Sequence, residues 1–360
     1  MGEPVRRDWM GEERRQAERR RSSVPAPNGI DRRRGERRRQ TAAVAGAFMV
    51  ATVLASPLMA RTSLLSAANP FTGAQWFVDP HAPARQQADA WRESRPADAA
   101  QMDKIANGAQ ADWFGDWSGD IQAAVDERVG AITATGALPV LVAYNIPNRD
   151  CSGGYSAGGA SGEAAYRDWI RRFSLGIAGR RAVVILEPDA LADTGNCGDA
   201  AAQQARLNLI WDAVNVLKAD PAVGVYIDAG HSHWMSADTA AARLHAAGVA
   251  DADGFSLNVS NFHATAGEIA YGRTISQRLG GKHFVVDTSR NGAGVAPSTW
   301  CNPPGMALGA RPTAATGDAL VDAYVWVKRP GESDGTCNGG PSAGAFWPEY
   351  ALGLAQRSTS

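Results

Sequence analysis

The chain has 360 residues, 44% of them hydrophobic and 20% charged, with a formal net charge of -1. This suits a globular protein with a large core, either two domains or one large α/β barrel. The near-neutral total hides an asymmetry, because residues 1–40 hold 13 Arg against 7 Asp and Glu, leaving 23 basic and 30 acidic residues for the remainder. An acidic body without a basic stripe excludes nucleic acid as the partner.

Standing alone, Arg32-Arg33-Arg34 and Arg37-Arg38-Arg39 would read as a nucleic-acid arm. They are followed directly by Ala42–Ala60, 19 uncharged and mostly apolar residues, long enough to cross a bilayer core with the positive charge on the cytoplasmic side. Residues 1–40 therefore read as a cytoplasmic or signal n-region and residues 41–60 as a transmembrane anchor or signal h-region. Val53-Leu54-Ala55 and Leu58-Met59-Ala60 are acceptable cleavage sites, yet the charged region is longer than a signal peptide needs. Either reading puts residues 61–360 outside the membrane. Four cysteines agree with that placement, since an even count in an exported chain is most simply two disulfides. Three connectivities exist, of which the sequence-local one, Cys151 with Cys197 and Cys301 with Cys337, is preferred, each bridge contributing roughly 3–4 kcal/mol on the chain-entropy argument.

Residues 61–360 contain no repeat of roughly 20–50 residues and no low-complexity linker, and read as one domain. Strand-like apolar runs recur at Gln75–Val78, Ala111–Phe114, Leu138–Tyr144, Ala182–Leu186, Val223–Ile227, Gly254–Val259, His283–Val286 and Ala323–Val327. Helical periodicity falls between them, at Ser118–Thr133, Ser161–Leu175, Ala200–Ala219, Ala237–Ala247 and Ala264–Leu279. In the second of these Tyr166, Trp169, Ile170 and Phe173 share a face, and in the third Leu207, Ile210, Trp211, Val214 and Leu217 do. Trp169 and Trp211 are accordingly packing residues. Strand and helix in alternation predict a parallel α/β barrel.

In such barrels the site forms where the strands' C-terminal ends meet the following loops. The polar residues fall there: Asn148-Arg149-Asp150-Cys151, Glu187-Pro188-Asp189, Asp228-Ala229-Gly230-His231, Asn258 with Asn261, Asp287-Thr288-Ser289-Arg290, and Lys328 through Asp334. One or two of these would be ordinary strand caps or barrel salt bridges. Six in succession point to a site.

Three stretches, "VAYNIPNRDCSGGYSAGG" from Val142, "VVILEPDALA" from Val183 and "VWVKRPGESDG" from Val325, resemble glycoside hydrolase family 6, cellulases that hydrolyse β-1,4-glucan with inversion. "YIDAGHSHW" from Tyr226, "NVSNF" from Asn258, "DTSRNG" from Asp287 and "WCNPPG" from Trp300 extend the likeness over roughly Asn69 to Gln356. The resemblance implies a distorted barrel of seven strands, with Gln75–Val78 the run to leave out.

Splitting a glycosidic bond with inversion needs an acid for the departing oxygen and a water delivered from the opposite face of the sugar. The resemblance implies Asp189 as the acid, with a raised pKa, and Asp150 as the neighbour that raises it and relays a proton. Asp334 is the candidate base, kept ionised by a cation such as Lys328, with a water chain to Asp150 as the rival route. Asp228 would support the acid and the substrate, and Tyr144 would crowd the sugar toward a distorted ring. Glu187 reads as structural, bonding barrel side chains or Arg149. The resemblance further implies Trp76, Trp234 and Trp300 as sugar platforms, and His231, Asn261, Lys328 and Glu332 as hydroxyl-binding residues. The Asn258-Val259-Ser260 sequon is incidental.

Exo-acting members of that family roof the cleft with long insertions, particularly after the Asp that Asp334 matches. Only 12 residues separate Asp334 from Trp347, with Cys337 among them, which predicts an open cleft and endo-cleavage of β-1,4-glucan, by a monomer without a cofactor. A catalytically silent wall-associated glycan-binding protein is the alternative, and its mark would be a missing carboxylate. A metal-dependent hydrolase lacks any His/Asp cluster at ligand spacing.

Overall fold

The run Ala182–Leu186 forms a strand, β3, all five of whose residues are fully buried. Its side chains alternate between faces. Val183 and Ile185 point into the barrel with Val142, Tyr226 and Val285, whereas Ala182, Val184 and Leu186 join the layer under the helices with Ile210 and Val214. A strand covered on both faces reads as an unbroken apolar run, and each buried Val, Ile or Leu contributes about 1.5–3 kcal/mol.

Six strands flank it: β1 (Asp112–Phe114), β2 (Val140–Ala143), β4 (Val223–Asp228), β5 (Gly254–Leu257), β6 (His283–Asp287) and β7 (Val321–Val325). All neighbours are parallel and the order is sequential, giving the seven-stranded distorted barrel. At the seam, Ala111 N–H donates to the Trp326 carbonyl at 3.0 Å, and Arg329 reaches Asp112 Oδ1 at 2.6 Å. Gln75–Val78 is not a strand: Trp76 alone bridges Leu138. The computed structural model describes residues 69–359 except 296 and 298. The chain divides into residues 1–62 and 63–360. The Arg-rich stretch 1–40 and the segment 41–60 lie outside the described residues. Among the described residues no helix is long and apolar enough to cross a membrane.

The helices are α1 (Pro83–Trp91), α2 (Pro96–Ala106), α3 (Ile121–Thr133), α4 (Glu163–Ile177), α5 (Ala200–Lys218), α6 (Ala237–Ala246), α7 (Thr265–Arg278) and α8 (Pro348–Arg357). Asp120 caps α3 by accepting the Gln122 and Ala123 amides, Asp199 caps α5 through Ala202, and Ser236 caps α6 through Thr239. Apolar periodicity alone passes over α1, α2 and α8. Each starts with Pro at its first position, a start signal in its own right, and together they bury Met102, Ile105 and Leu354 against Trp326.

Both disulfides take the sequence-local pairing, Cys151–Cys197 and Cys301–Cys337, closing separations of 46 and 36 residues. Each ties two loops at the strands' C-terminal ends: the exits of β2 and β3, and the β6–β7 connection with the β7 exit.

Candidate active site

A cavity of about 420 Å³ opens at the C-terminal ends of the strands, within the range of ligand sites. The loop after β2 brings Tyr144 and Asp150 to it, that after β3 Asp189, that after β4 His231 and Trp234, and that after β5 Asn261. The β7 exit adds Lys328 and Asp334, and the β6–β7 connection adds Trp300.

At the end of β3 the backbone turns through left-handed conformations at Glu187 (φ 50°) and Asp189 (φ 69°), local strain of the kind that gathers at functional sites. Asp228 lies behind them, fully buried, its Oδ1 accepting the Asp189 amide at 2.9 Å and the Gly230 amide at 3.0 Å. Burial pushes the Asp228 carboxyl up to about 7. Asp189 itself is raised well above the usual range, first by burial, then by the charges of Asp228 and Asp193, and only after them by Asp150 and Asp334. Asp150 is therefore not the chief cause of the shift: burial and the charges of Asp228 and Asp193 precede it.

The closest partners of Glu187 are backbone groups, with the Tyr166 hydroxyl and the Arg149 charge also acting on its carboxyl. Its carboxyl accepts the backbone amides of Asn145 and Ile146 at 3.0 Å, so it pins the exit of β2, and burial raises it to about 7. In Glu187→Gln an NH2 would face one of those amides. We expect a loss of about 1–3 kcal/mol in stability and a lower kcat, read by thermal unfolding and initial rates. The sign of the pH dependence follows from the shift. With folded-state pKa values raised, Glu187 and Asp228 favour the fold most below their ordinary carboxylate range, and that contribution is lost as pH rises through about 7. Glu187→Gln should flatten that decline.

The β2 exit loop is held by two arginines. Arg149 donates to the carbonyls of Tyr144 and Ser156, both at 2.8 Å, and to Asp116 Oδ1 at 2.9 Å, with its guanidinium 4.6 Å over the Tyr144 ring. Arg206, from α5, donates to the carbonyls of Pro147 and Asn148. Asp150 accepts the Ser156 amide at 2.5 Å and folds over Gly153, where a Cβ would lie 2.3 Å from its Oδ1. A side chain at 153 would push the Asp150 carboxyl out of this position.

Asp334 is tightly held. Arg290, fully buried, reaches Oδ1 at 2.9 Å and Oδ2 at 3.0 Å, the Asn302 amide donates to Oδ2 at 3.0 Å, and Lys328 Nζ stands 3.8 Å from Oδ1. Asp287 clamps the adjoining loops by accepting the amides of Ser260, Ser289 and Lys328. Asn258 is fully buried and donates to the carbonyls of His263 and Asp287, so the sequon is closed to modification in the fold.

The sequence profile of glycosyl hydrolases family 6 matches residues 71–358. The chain is 47% identical over 285 residues to Endoglucanase A of Cellulomonas fimi, covering 79% of this chain and 61% of that one. It is 45% identical over 315 residues to Endoglucanase 1 of Streptomyces halstedii, covering 84% and 96%. Among solved structures, the endoglucanase Cel6 from Mycobacterium tuberculosis, in complex with methyl-cellobiosyl-4-deoxy-4-thio-β-D-cellobioside, matches with a TM-score of 0.76 at 48% identity, covering 81% of this chain and 99% of that one. The chain belongs to glycosyl hydrolases family 6.

Two of the sugar-binding expectations for this family 6 hydrolase fall on residues placed elsewhere. Trp76 bridges Leu138, just ahead of β2, and stacks on Phe71 at 5.6 Å, so it sits by the strands' N-terminal ends, away from the cleft. The cleft wall is built instead by Trp113, one residue from the end of β1, whose Nε1 donates to the Val327 carbonyl. Trp113 is the middle residue of a three-residue strand, too short in sequence to show its periodicity, and is half-buried on the barrel-interior face beside Tyr144. Glu332 is turned to Arg329, 3.6 Å away, and does not line the cavity. Asp193 was also missed. Buried beneath the β2 loop, it accepts the Ser152 hydroxyl at 2.5 Å. The β7 exit is folded back by the Glu332–Phe346 bridge and tied at Cys337, as a short unroofed loop should be. At the cleft mouth Tyr155 meets Trp300 edge-on at 5.7 Å, both rings remaining exposed.

Proposed function

We propose that this family 6 hydrolase is an endo-acting β-1,4-glucanase that cleaves cellulose-type chains with inversion. The observation that carries the reading is the Asp189 carboxyl, held in its protonated form by burial and by neighbouring carboxylates in a cleft that aromatic rings also line. Asp189 protonates the departing glycosidic oxygen while water attacks from the far face of the ring. Asp150, bonded through the Ser156 amide and facing the same cavity, accepts the proton released by that water through a solvent relay. Asp334 is less suited to that task, since Arg290 and the Asn302 amide occupy both its oxygens. Its role is to hold Lys328 and the β7 exit in place. Tyr144 crowds the reacting ring, Trp113, Trp234 and Trp300 stack on glucose faces, and His231, Asn261 and Lys328 bond hydroxyls.

Two disulfides among the loops suit an oxidising compartment, so the domain acts as a monomer outside the membrane, with residues 41–60 its anchor or signal h-region and residues 1–40 on the cytoplasmic side. The test is carboxymethylcellulose followed at once by viscosity and by reducing ends. Endo-cleavage makes viscosity collapse while few ends have formed, whereas a proportional fall of the two would overturn internal cutting. No reducing ends at all would overturn the glucanase itself.

A further inference from the structure

The wall of the cleft carries a side-chain cluster that sugar hydrolysis does not require. His231 and His233 follow β4, and His263 comes from the loop after β5. One ring nitrogen from each lies within 4.8 Å of the other two. The rings form a stack, His231 on His263 at 4.3 Å between centroids and His233 on His263 at 4.2 Å. Half of the chain's six histidines are here, although none of their spacings marks a metal site in the sequence.

We propose that His231, His233 and His263 bind one borderline divalent cation of the Zn²⁺ or Cu²⁺ kind. Imidazole suits such ions, and three protein ligands with a fourth position open to the cleft is a common zinc arrangement. With metal–nitrogen bonds of about 2.0–2.1 Å, the nitrogens must draw closer than they stand now, and the exposed His233 ring must turn out of its stack on His263 to point at the ion. The surroundings orient the ligands. The Ser232 hydroxyl donates to the buried Glu268 carboxyl at 2.6 Å, and its oxygen stands 2.9 Å from His233 Nδ1. With the hydroxyl proton spent on Glu268, that oxygen accepts Nδ1–H, leaving His233 Nε2 with its lone pair, the outer-shell arrangement that tunes metal-bound histidines. The backbone of His263 is fixed by Asn258 and Asn291, which take its amide and carbonyl. All four cysteines are in disulfides, so no thiol competes. Hard cations such as Ca²⁺ find no carboxylate among the three ligands.

Because His231 also faces the glucan, a bound cation displaces sugar from that wall, a consequence that rests on the glucanase reading. The test titrates ZnCl2 calorimetrically into the full chain, made without a polyhistidine tag and stripped with EDTA. One Zn²⁺ per chain is expected, with affinity falling at least 10-fold in His263→Ala and again in His233→Ala, and about 10-fold in Ser232→Ala. His233 is exposed, so its variant keeps the measurement decisive if His263→Ala folds poorly. Zn²⁺ but not Ca²⁺ should slow carboxymethylcellulose hydrolysis, and His263→Ala, with unchanged activity in EDTA, should need at least 10-fold more Zn²⁺ for the same slowing. Equal Zn²⁺ affinity in wild type and both histidine variants, or no stoichiometric binding, would overturn the site. Histidine-dependent binding by a chain that cleaves no glucan would uphold the site and sink the glucanase reading instead.

Discussion

Asp189→Asn should slow cleavage of underivatised β-1,4-glucan by about 10²–10⁴-fold, the usual worth of a positioned general acid, while cello-oligosaccharide binding stays nearly unchanged. The amide matches the carboxyl in shape and leaves the Asp228 contact to the residue 189 backbone intact. What it removes is the transferable proton. A cellobioside whose dinitrophenolate leaves without protonation should lose far less rate, which separates a missing acid from a damaged cleft. The pH profile carries the same signature. Burial raises Asp189, as do the charges of Asp228, Asp193, Asp150 and Asp334, so the acid is competent at low pH and is lost as pH climbs through its raised pKa. That alkaline limb of kcat/KM should vanish in the variant. Full activity on glucan after the substitution would remove Asp189 from the mechanism.

Arg290→Met should destabilise the domain by about 3–5 kcal/mol, the cost of stripping one partner from a buried ion pair. Arg290 is fully buried, spans both oxygens of Asp334, donates to the Ser260 carbonyl and lies 4.1 Å over the Phe262 ring. Methionine fills the space but leaves the Asp334 charge opposed only by Lys328 at 3.8 Å. Arg290→Lys should recover little of the loss, because one ammonium cannot stand both where Nη1 meets Asp334 and where Nη2 meets the Ser260 carbonyl. Chemical denaturation compares the three proteins. A loss below about 1 kcal/mol in Arg290→Met would place the pair with the weak surface bridges and undo the case for Asp334 as a structural anchor.

The strands of the barrel were legible because their signal is local. A strand buried on both faces must be apolar throughout, as Ala182–Leu186 is, and the carboxylates that interrupt the pattern mark the strands' C-terminal ends. The helices announced by Pro83, Pro96 and Pro348 were missed because they lie outside the regular alternation and bury a small separate core. Gln75–Val78 has a strand's composition without a strand's partners, making one bridge where a ladder would be needed.

The amino-acid order by itself determined the alternation of strands and helices through the barrel and which acidic residues stand at the rim, since both depend on neighbours a few positions away. The tertiary structure decided the rest. It set Asp228 against the amide of Asp189, paired Arg290 with Asp334, turned Glu187 onto the β2 backbone, put Trp113 rather than Trp76 on the cleft wall, and gathered three histidines from two loops. The physical reason is that a carboxyl's proton affinity and a ring's exposure depend on burial and on partners brought in by strand register, and neither is written in the residues beside it.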